Sequence, residues 1–467
     1  MQEHERLRVL GRPAASVAVI VAYVSGVFMT AMDLHIVNVA LPTLSRDFGA
    51  SIASVDWTVL GYVLSLAVLI PASGWIGDRA GTKRTFLAAL AIFTLASAAC
   101  GAAQSLGELI AARVLQGAGG GLLVPAGTAM LFRAYPPERR ARLTRTVLLP
   151  IIIAPASAPI IGGFFTQDAS WRWVFLVNVP IGVLVFAFCA VTLVEHREAA
   201  RGRFDLGGFM LGGGGLALVL YALNEGSVHG WGSPPIVLSG LLGAASLIAF
   251  THAEYHNANP LLNLRLLHDR LFRSTNMVFV LTSGAFLGTL YLTPIFLQEV
   301  AGYTPIASGT TTFMEAIGVA VASQSVGRLY PLLGPRRMAA GGAFVLAALL
   351  LCFQFVDAGT NPWLVRGLMF CVGGANSAPF LAVQTAMFTT IPPADIGHAS
   401  AIYNTARQAS VAVVVAILSA IVASVAGPRL GAFHGAYLAL VALAALGGVT
   451  AVVLVRSRDA AATMVAR

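Results

Sequence analysis

Long apolar runs broken by short polar stretches organise this chain from end to end. The hydrocarbon core of a bilayer takes roughly 20 apolar residues as a helix, and fourteen runs are of that kind. The first six are Ala15–Leu41, Val55–Ile76, Thr85–Gln104, Leu109–Phe132, Leu143–Thr166 and Trp171–Val194. Two more, Leu206–Asn224 and Pro234–Thr251, follow a basic loop. The last six are Thr275–Leu297, Thr304–Leu329, Met338–Phe355, Trp363–Met387, His398–Val425 and Phe433–Val455. The first run is too long for a signal-peptide core and lacks a convincing cleavage site, so it reads as a retained span. No connection is long enough for a separate soluble domain.

Composition agrees with this pattern. Hydrophobic residues make up 57% of the chain and charged residues only 10%, against about 25% charged in soluble domains. The expected class is an all-α polytopic membrane protein. A formal charge of +9 would suggest nucleic acid in a soluble protein. Here the basic residues sit between the apolar runs, with no aromatic-interleaved basic patch, so nucleic acid is not an expected partner.

The same charges predict orientation, because cytoplasmic loops are enriched in Arg and Lys. With both termini cytoplasmic, 23 of the 29 basic residues fall on one side. They include Arg79, Lys83, Arg84, Arg133, Arg265, Arg336 and Arg337. The other side holds Arg46, Arg172 and Arg429, and three arginines (Arg113, Arg366, Arg407) lie within spans. These sides are the arginine-rich and arginine-poor ends of the bundle. Four cysteines, Cys100, Cys189, Cys352 and Cys371, fall in apolar runs without CxxC or Cys/His spacing. They read as buried free thiols, with no disulfide framework or metal site. No cofactor is expected.

An internal repeat shows next. Gly74-Trp-Ile-Gly-Asp78-Arg79-Ala-Gly81-Thr-Lys83-Arg84 follows span two, and Gly327-Arg-Leu-Tyr-Pro-Leu-Leu-Gly334-Pro-Arg336-Arg337 follows span ten. The two are offset by 253 residues, and the same offset carries Arg113 to Arg366 and Gly120 to Gly373. The expected domains are a six-helix bundle over 1–204, an inserted helix pair over 205–254 and a second six-helix bundle over 255–467. Duplicated halves with a site between them at mid-membrane are a transporter architecture.

Several polar residues stand where lipid makes them costly. Asp33 lies well inside span one, where a charge costs roughly 2.5–3.5 kcal/mol on insertion scales. Protonation relieves that cost, which makes Asp33 a candidate proton carrier; a static hydrogen-bonded aspartate is the alternative. Glu315, in span ten, is the other deep acid, and it can bind protons or substrate. Glu225 and Glu299 lie near span ends and read as interfacial. Arg113 cannot lose its proton and needs a partner or a polar cavity. Arg366, near the outer end of its span, is expected to snorkel. Asn404, Arg407 and Gln408 share a stretch of span thirteen and can make either a binding surface or a packing network. Asp78 can pair with a nearby arginine such as Arg133 and latch the arginine-rich end; a purely topological role for this basic loop is the alternative.

Four stretches together resemble the major facilitator superfamily, in its fourteen-span drug:proton antiporter branch. Met32-Asp33-Leu-His35-Ile-Val-Asn38-Val-Ala-Leu-Pro42 is similar to the branch's first-span motif, and Gly74 to Arg84 to its signature loop. Leu109-Ile-Ala-Ala-Arg113-Val-Leu-Gln116-Gly117-Ala-Gly-Gly resembles the fourth-span motif, and Asn404-Thr-Ala-Arg407-Gln408 the eleventh-helix signature, here in span thirteen. The antiporter motif of span five departs from the pattern. Alanines (Ala154, Ala158) replace both early glycines, Pro150 and Pro155 are added, and Pro159, Gly162 and Gly163 are kept. His35 stands where the branch usually has threonine.

The resemblance implies proton coupling through Asp33 and Arg113; Glu315, where the family often has an apolar residue, is a further proton-coupling candidate from its depth in span ten alone. The candidate substrate contacts are Asp33, Glu315, His35, Asn38, Asn404, Arg407 and Gln408. The resemblance also implies a latch of Gly74, Asp78, Arg79, Gly81, Arg84 and Arg133, and an antiporter helix carrying Pro155, Pro159, Gly162 and Gly163. No P-loop pattern or catalytic grouping occurs, so neither ATP-driven transport nor an enzyme is expected. The expected function is proton-coupled efflux of amphipathic drugs or antibiotics by a monomer in the bacterial inner membrane. The expected partners are a small amphipathic substrate, protons and lipid. Export of one dedicated metabolite, or a non-transporting scaffold or sensor, are the alternatives.

Overall fold

The computed structural model describes residues 11–134, 157–196, 204–257, 260–392, 395–424 and 429–456. Among the described residues the regular structure is helical throughout, as lipid demands. With no water to satisfy exposed backbone groups, a spanning segment must close its hydrogen bonds internally.

The first helices are α1 (Gly11–Phe48), α2 (Trp57–Ala80, after a one-turn helix Ile52–Val55), α3 (Thr82–Ala102) and α4 (Leu106–Ala134). Helix α5 (157–164) runs into a π-helical turn, Phe165–Ala169, and α6 is Asn178–Thr192. Then come α7 (Leu206–His229), α8 (Pro234–His256) and α9 (Arg270–Glu299). The 47-residue helix Pro305–Leu351 loses helical geometry at Gly334, which divides it into α10 (305–333) and α11 (335–351). Helices α12 (Pro362–Met387), α13 (Ile396–Ser424) and α14 (Arg429–Leu454) complete the chain.

Twelve of these helices are long and apolar enough to cross a membrane. The predicted spans outside that set are five and ten. Span five is described only from residue 157, and Pro155 lies outside the described residues. Span ten is α10, where Ser308, Thr310, Thr311, Thr312, Glu315 and Gln324 interrupt the apolar sequence.

The internal repeat is visible in the backbone. Gly81 and Gly334, 253 residues apart, both take positive φ, 95° and 72°, a region that side-chain-bearing residues rarely enter. The same reversal therefore ends α2 and α10. Close helix approach also recurs. A Cβ at Gly117 would meet the carbonyl of Tyr62, and one at Gly373 would meet the carbonyl of Glu315. Glu315 follows Tyr62 by the same 253 residues.

Hydrogen bonds between the first six and the last six helices gather at the arginine-poor end. Asn38 donates to the Leu290 carbonyl at 3.3 Å, Gln298 to the Val39 carbonyl at 3.0 Å, and the Ile306 N–H to Gln167 at 3.4 Å. A Cβ at Gly163 or Gly309 would strike the backbone across this seam, at Pro305 or Pro159 respectively. That end is closed. Helix α7 packs on α8, on α13 and on α2, so it lies across the seam between the two sets. Most of α7 and α8 is turned outward, whereas α9 is largely buried. The pair is largely lipid-facing.

One expectation needs correction. Cys100 and Cys189 are buried, but Cys352, in the one-turn helix Cys352–Phe355 that follows α11, and Cys371 on α12 are exposed. Arg366 is half-buried near the start of α12. Its guanidinium stacks 4.7 Å from the Trp363 ring centre, and its Nε is enclosed. Glu225 and Glu299 do sit at helix ends, where Glu225 accepts a bond from Trp57 and Glu299 pairs with Arg429.

Candidate functional site

Five helices deliver polar side chains to one buried point. Helix α4 is drawn inward by glycines: a Cβ at Gly117 or Gly121 would strike the backbone of α2, and one at Gly119 the backbone of α3. This close packing brings Arg113, one turn before Gly117, into the interior, where it is fully buried. Its Nη1 pairs with Asp33 Oδ2 from α1. Its Nε donates to the Thr58 carbonyl at 2.8 Å, and Nη1 also reaches Gln116 Oε1 at 2.8 Å. Aromatic faces cover the guanidinium, Tyr62 at 4.1 Å and Phe175 at 5.6 Å. Cation–π attraction is strongest where such a cation is desolvated.

Asp33 is equally well held. Its Oδ1 accepts from Gln116 Nε2 at 2.7 Å and from Asn178 Nδ2 at 3.0 Å. Both amides also donate to Ser97 Oγ, whose proton goes to the Phe175 carbonyl at 2.9 Å. A buried ion pair offsets its desolvation only when further hydrogen bonds satisfy the remaining positions, and that condition is nearly met here. Among the described residues Arg113 Nη2 and Asn178 Oδ1 lack a partner.

The other predicted acid sits differently. Glu315 on α10 is buried, and among the described residues neither carboxylate oxygen has a hydrogen-bond partner. Tyr437 is its ionisable neighbour, and that hydroxyl is shared with Thr293 at 2.9 Å. The two acids are separate sites.

Of the remaining predicted residues, His35 is buried with Nδ1 unpartnered, and the charge of Arg407 reaches it across the seam. Asn38 makes the cross-seam bond to Leu290. Gln408 is buried with its carbonyl oxygen free, whereas Asn404 is only half-buried and donates to its own helix at Ser400. At the arginine-rich end, Glu195 accepts from the backbone N–H groups of Lys83 and Arg84 and pairs with the Arg84 side chain. The side chains of Asp78 and Arg133 lie outside the described residues.

Residues 23–415 match the sequence profile of the Major Facilitator Superfamily. The chain belongs to that family. It is a secondary transporter, not an enzyme, consistent with its polytopic helical architecture. Over 396 residues it is 32% identical to a multidrug resistance protein B homolog of Mycobacterium tuberculosis, covering 84% of this chain and 73% of the relative. A Serratia proteamaculans protein named for multidrug resistance, MdtD, is 32% identical over 404 residues, 86% of this chain and 84% of that one. The fold matches the crystal structure of a D-xylose–proton symporter with a TM-score of 0.66 at 15% identity, over 95% of this chain and 98% of that one.

Within this transporter, Gln116, Asn178, Ser97, Thr58 and Tyr62 belong to the Asp33 site although sequence reasoning did not place them there. Gln116 stands inside the span-four motif, and Asn178 is a lone amide in an apolar run, so both left a signal. Thr58 acts through its carbonyl, which no sequence pattern announces.

Proposed function

We propose that this protein exports amphipathic drugs in exchange for protons, by alternating access between units 1–204 and 255–467, with the helices of 205–254 packed at their seam. The observation that carries this reading is the Asp33–Arg113 pair, fully buried and braced by Gln116 and Asn178. A proton arriving on Asp33 removes the charge that holds Arg113 and frees helices α1 and α4 to move. The relatives named for multidrug resistance support the substrate class.

In this reading the arginine-rich end and both termini are cytoplasmic, in the inner membrane. Substrate meets Asp33, His35, Asn38, Glu315, Asn404, Arg407 and Gln408. Gly74, Asp78, Arg79, Gly81, Arg84 and Arg133 close the cytoplasmic end, and the helix with Pro159, Gly162 and Gly163 lies at the seam. One copy of the chain suffices for this cycle.

The test is drug accumulation in vesicles under an imposed pH gradient. Asp33→Asn keeps the shape but cannot titrate, so it should bind substrate while losing uphill transport. Undiminished uphill transport by that variant would sink the assignment.

A further inference from the structure

One buried acid takes no part in either site. Asp56 is fully buried, between the one-turn helix Ile52–Val55 and α2. An aspartate just before a helix ordinarily caps its first N–H groups, yet this carboxylate makes no such bond. Among the described residues neither of its oxygens has a hydrogen-bond partner; helix α13 packs on both Ile52–Val55 and α2, and the neighbouring hydroxyl groups are those of Tyr291 on α9 and Ser419 on α13, both buried. It therefore sits on the seam between the first and last helices, at the closed, arginine-poor end.

Among the described residues Asp56 forms no ion pair. The charged groups on the surrounding elements are engaged elsewhere. On α7, Glu225 accepts from Trp57 Nε1 at 2.8 Å and pairs with His229. At the end of α1, Arg46 donates to the Pro42 carbonyl and Asp47 accepts from Trp171. On α9, Glu299 pairs with Arg429. Helix α7 also fixes the local backbone, because Asn224 donates to the Ala53 carbonyl at 2.9 Å.

We propose that Asp56 is a second proton-binding site, which holds the arginine-poor end shut while protonated and releases its proton to water there as the seam opens. A buried carboxylate with no cation beside it is strongly disfavoured in its charged form. A proton removes that charge and supplies an O–H that can bond to Tyr291 or Ser419. Separation of α2 from α9 and α13 hydrates the group, and the anion then disfavours reclosure. The inference rests on the alternating-access reading above but not on transport of any particular compound.

The test places spin labels at Ala102→Cys and Ala358→Cys, both exposed at this end, in the full chain with Cys352 and Cys371 replaced by alanine. Distances are measured in lipid nanodiscs without substrate, from about pH 5 to about pH 8, a range wide enough to titrate a shifted carboxyl. The long-distance population should grow with pH in the parent protein. Asp56→Asn, permanently neutral, should stay short at every pH. Tyr291→Phe weakens the closed state and should shift the opening to lower pH, which keeps the test decisive should Asp56→Asn fail to fold. A response unchanged in Asp56→Asn, or an unshifted midpoint in Tyr291→Phe, overturns the site. Labels that never separate in any variant overturn the alternating-access reading along with it.

Discussion

The two deep acids of this transporter occupy related halves of the chain and yet differ in their surroundings. Asp33 is paired with a guanidinium and held by two amides. Glu315 has no partner at either oxygen among the described residues. The repeat sharpens the contrast, since Glu315 holds the position that Tyr62 holds in the first half, and Tyr62 is the ring covering Arg113. One half has thus built a compensated charge and the other a bare one. A compensated charge is costly to break; a bare one is easily neutralised.

The largest effect is expected from Arg113. Arg113→Gln leaves Asp33 buried without its cation, and removing one member of a buried pair costs roughly 3–5 kcal/mol. Thermal unfolding in detergent should fall sharply, with transport lost. The double variant Asp33→Asn/Arg113→Gln removes both charges, so it should recover much of the unfolding temperature while remaining unable to couple. Non-recovery would mean that the pair is not the main source of the penalty. Asp33→Asn alone leaves the arginine uncompensated and should fall between the two.

This contrast also shows what could be read before the structure was known. The spans were legible because lipid imposes a length and an apolar composition on every helix. The loop after α10 was legible because Gly334 repeats Gly81. The pairing of Asp33 was not, because it depends on how closely α4 can approach α2, and each glycine faces a neighbour that sequence does not identify. Asp56 escaped notice for another reason. It stands at the edge of an apolar run, where an acid reads as a boundary residue, and its burial depends on neighbouring helices that sequence does not identify. Where hydropathy decides, sequence suffices; where two helices must meet, it names one partner at most.

Glu315 should respond more mildly. Glu315→Gln exchanges an unpartnered carboxyl for a neutral amide of nearly the same shape, so the unfolding temperature should hold or rise slightly. If Glu315 contacts substrate, affinity for cationic drugs should fall while proton-driven transport of neutral ones persists. Drug-binding titrations on the purified variant separate the two classes. A large loss of stability would show that Glu315 has a structural partner after all.

The smallest expected change tests the counterpart position. Tyr62→Phe removes only the hydroxyl, whose bond to the Thr30 carbonyl is long at 3.4 Å, and keeps the ring over Arg113. A net hydrogen bond contributes about 0.5–1.5 kcal/mol, and a long one belongs at the low end. The unfolding temperature should barely move, and coupling should remain. Tyr62→Leu keeps an apolar side chain but removes the aromatic face, which for a desolvated cation is worth up to about 2 kcal/mol. It should therefore cost clearly more than Tyr62→Phe, and more with Arg113 present than in the Arg113→Gln background. Equal losses in the two backgrounds would mean that the ring merely fills space. The arginine's compensation would then come from Asp33, Gln116 and the Thr58 carbonyl alone.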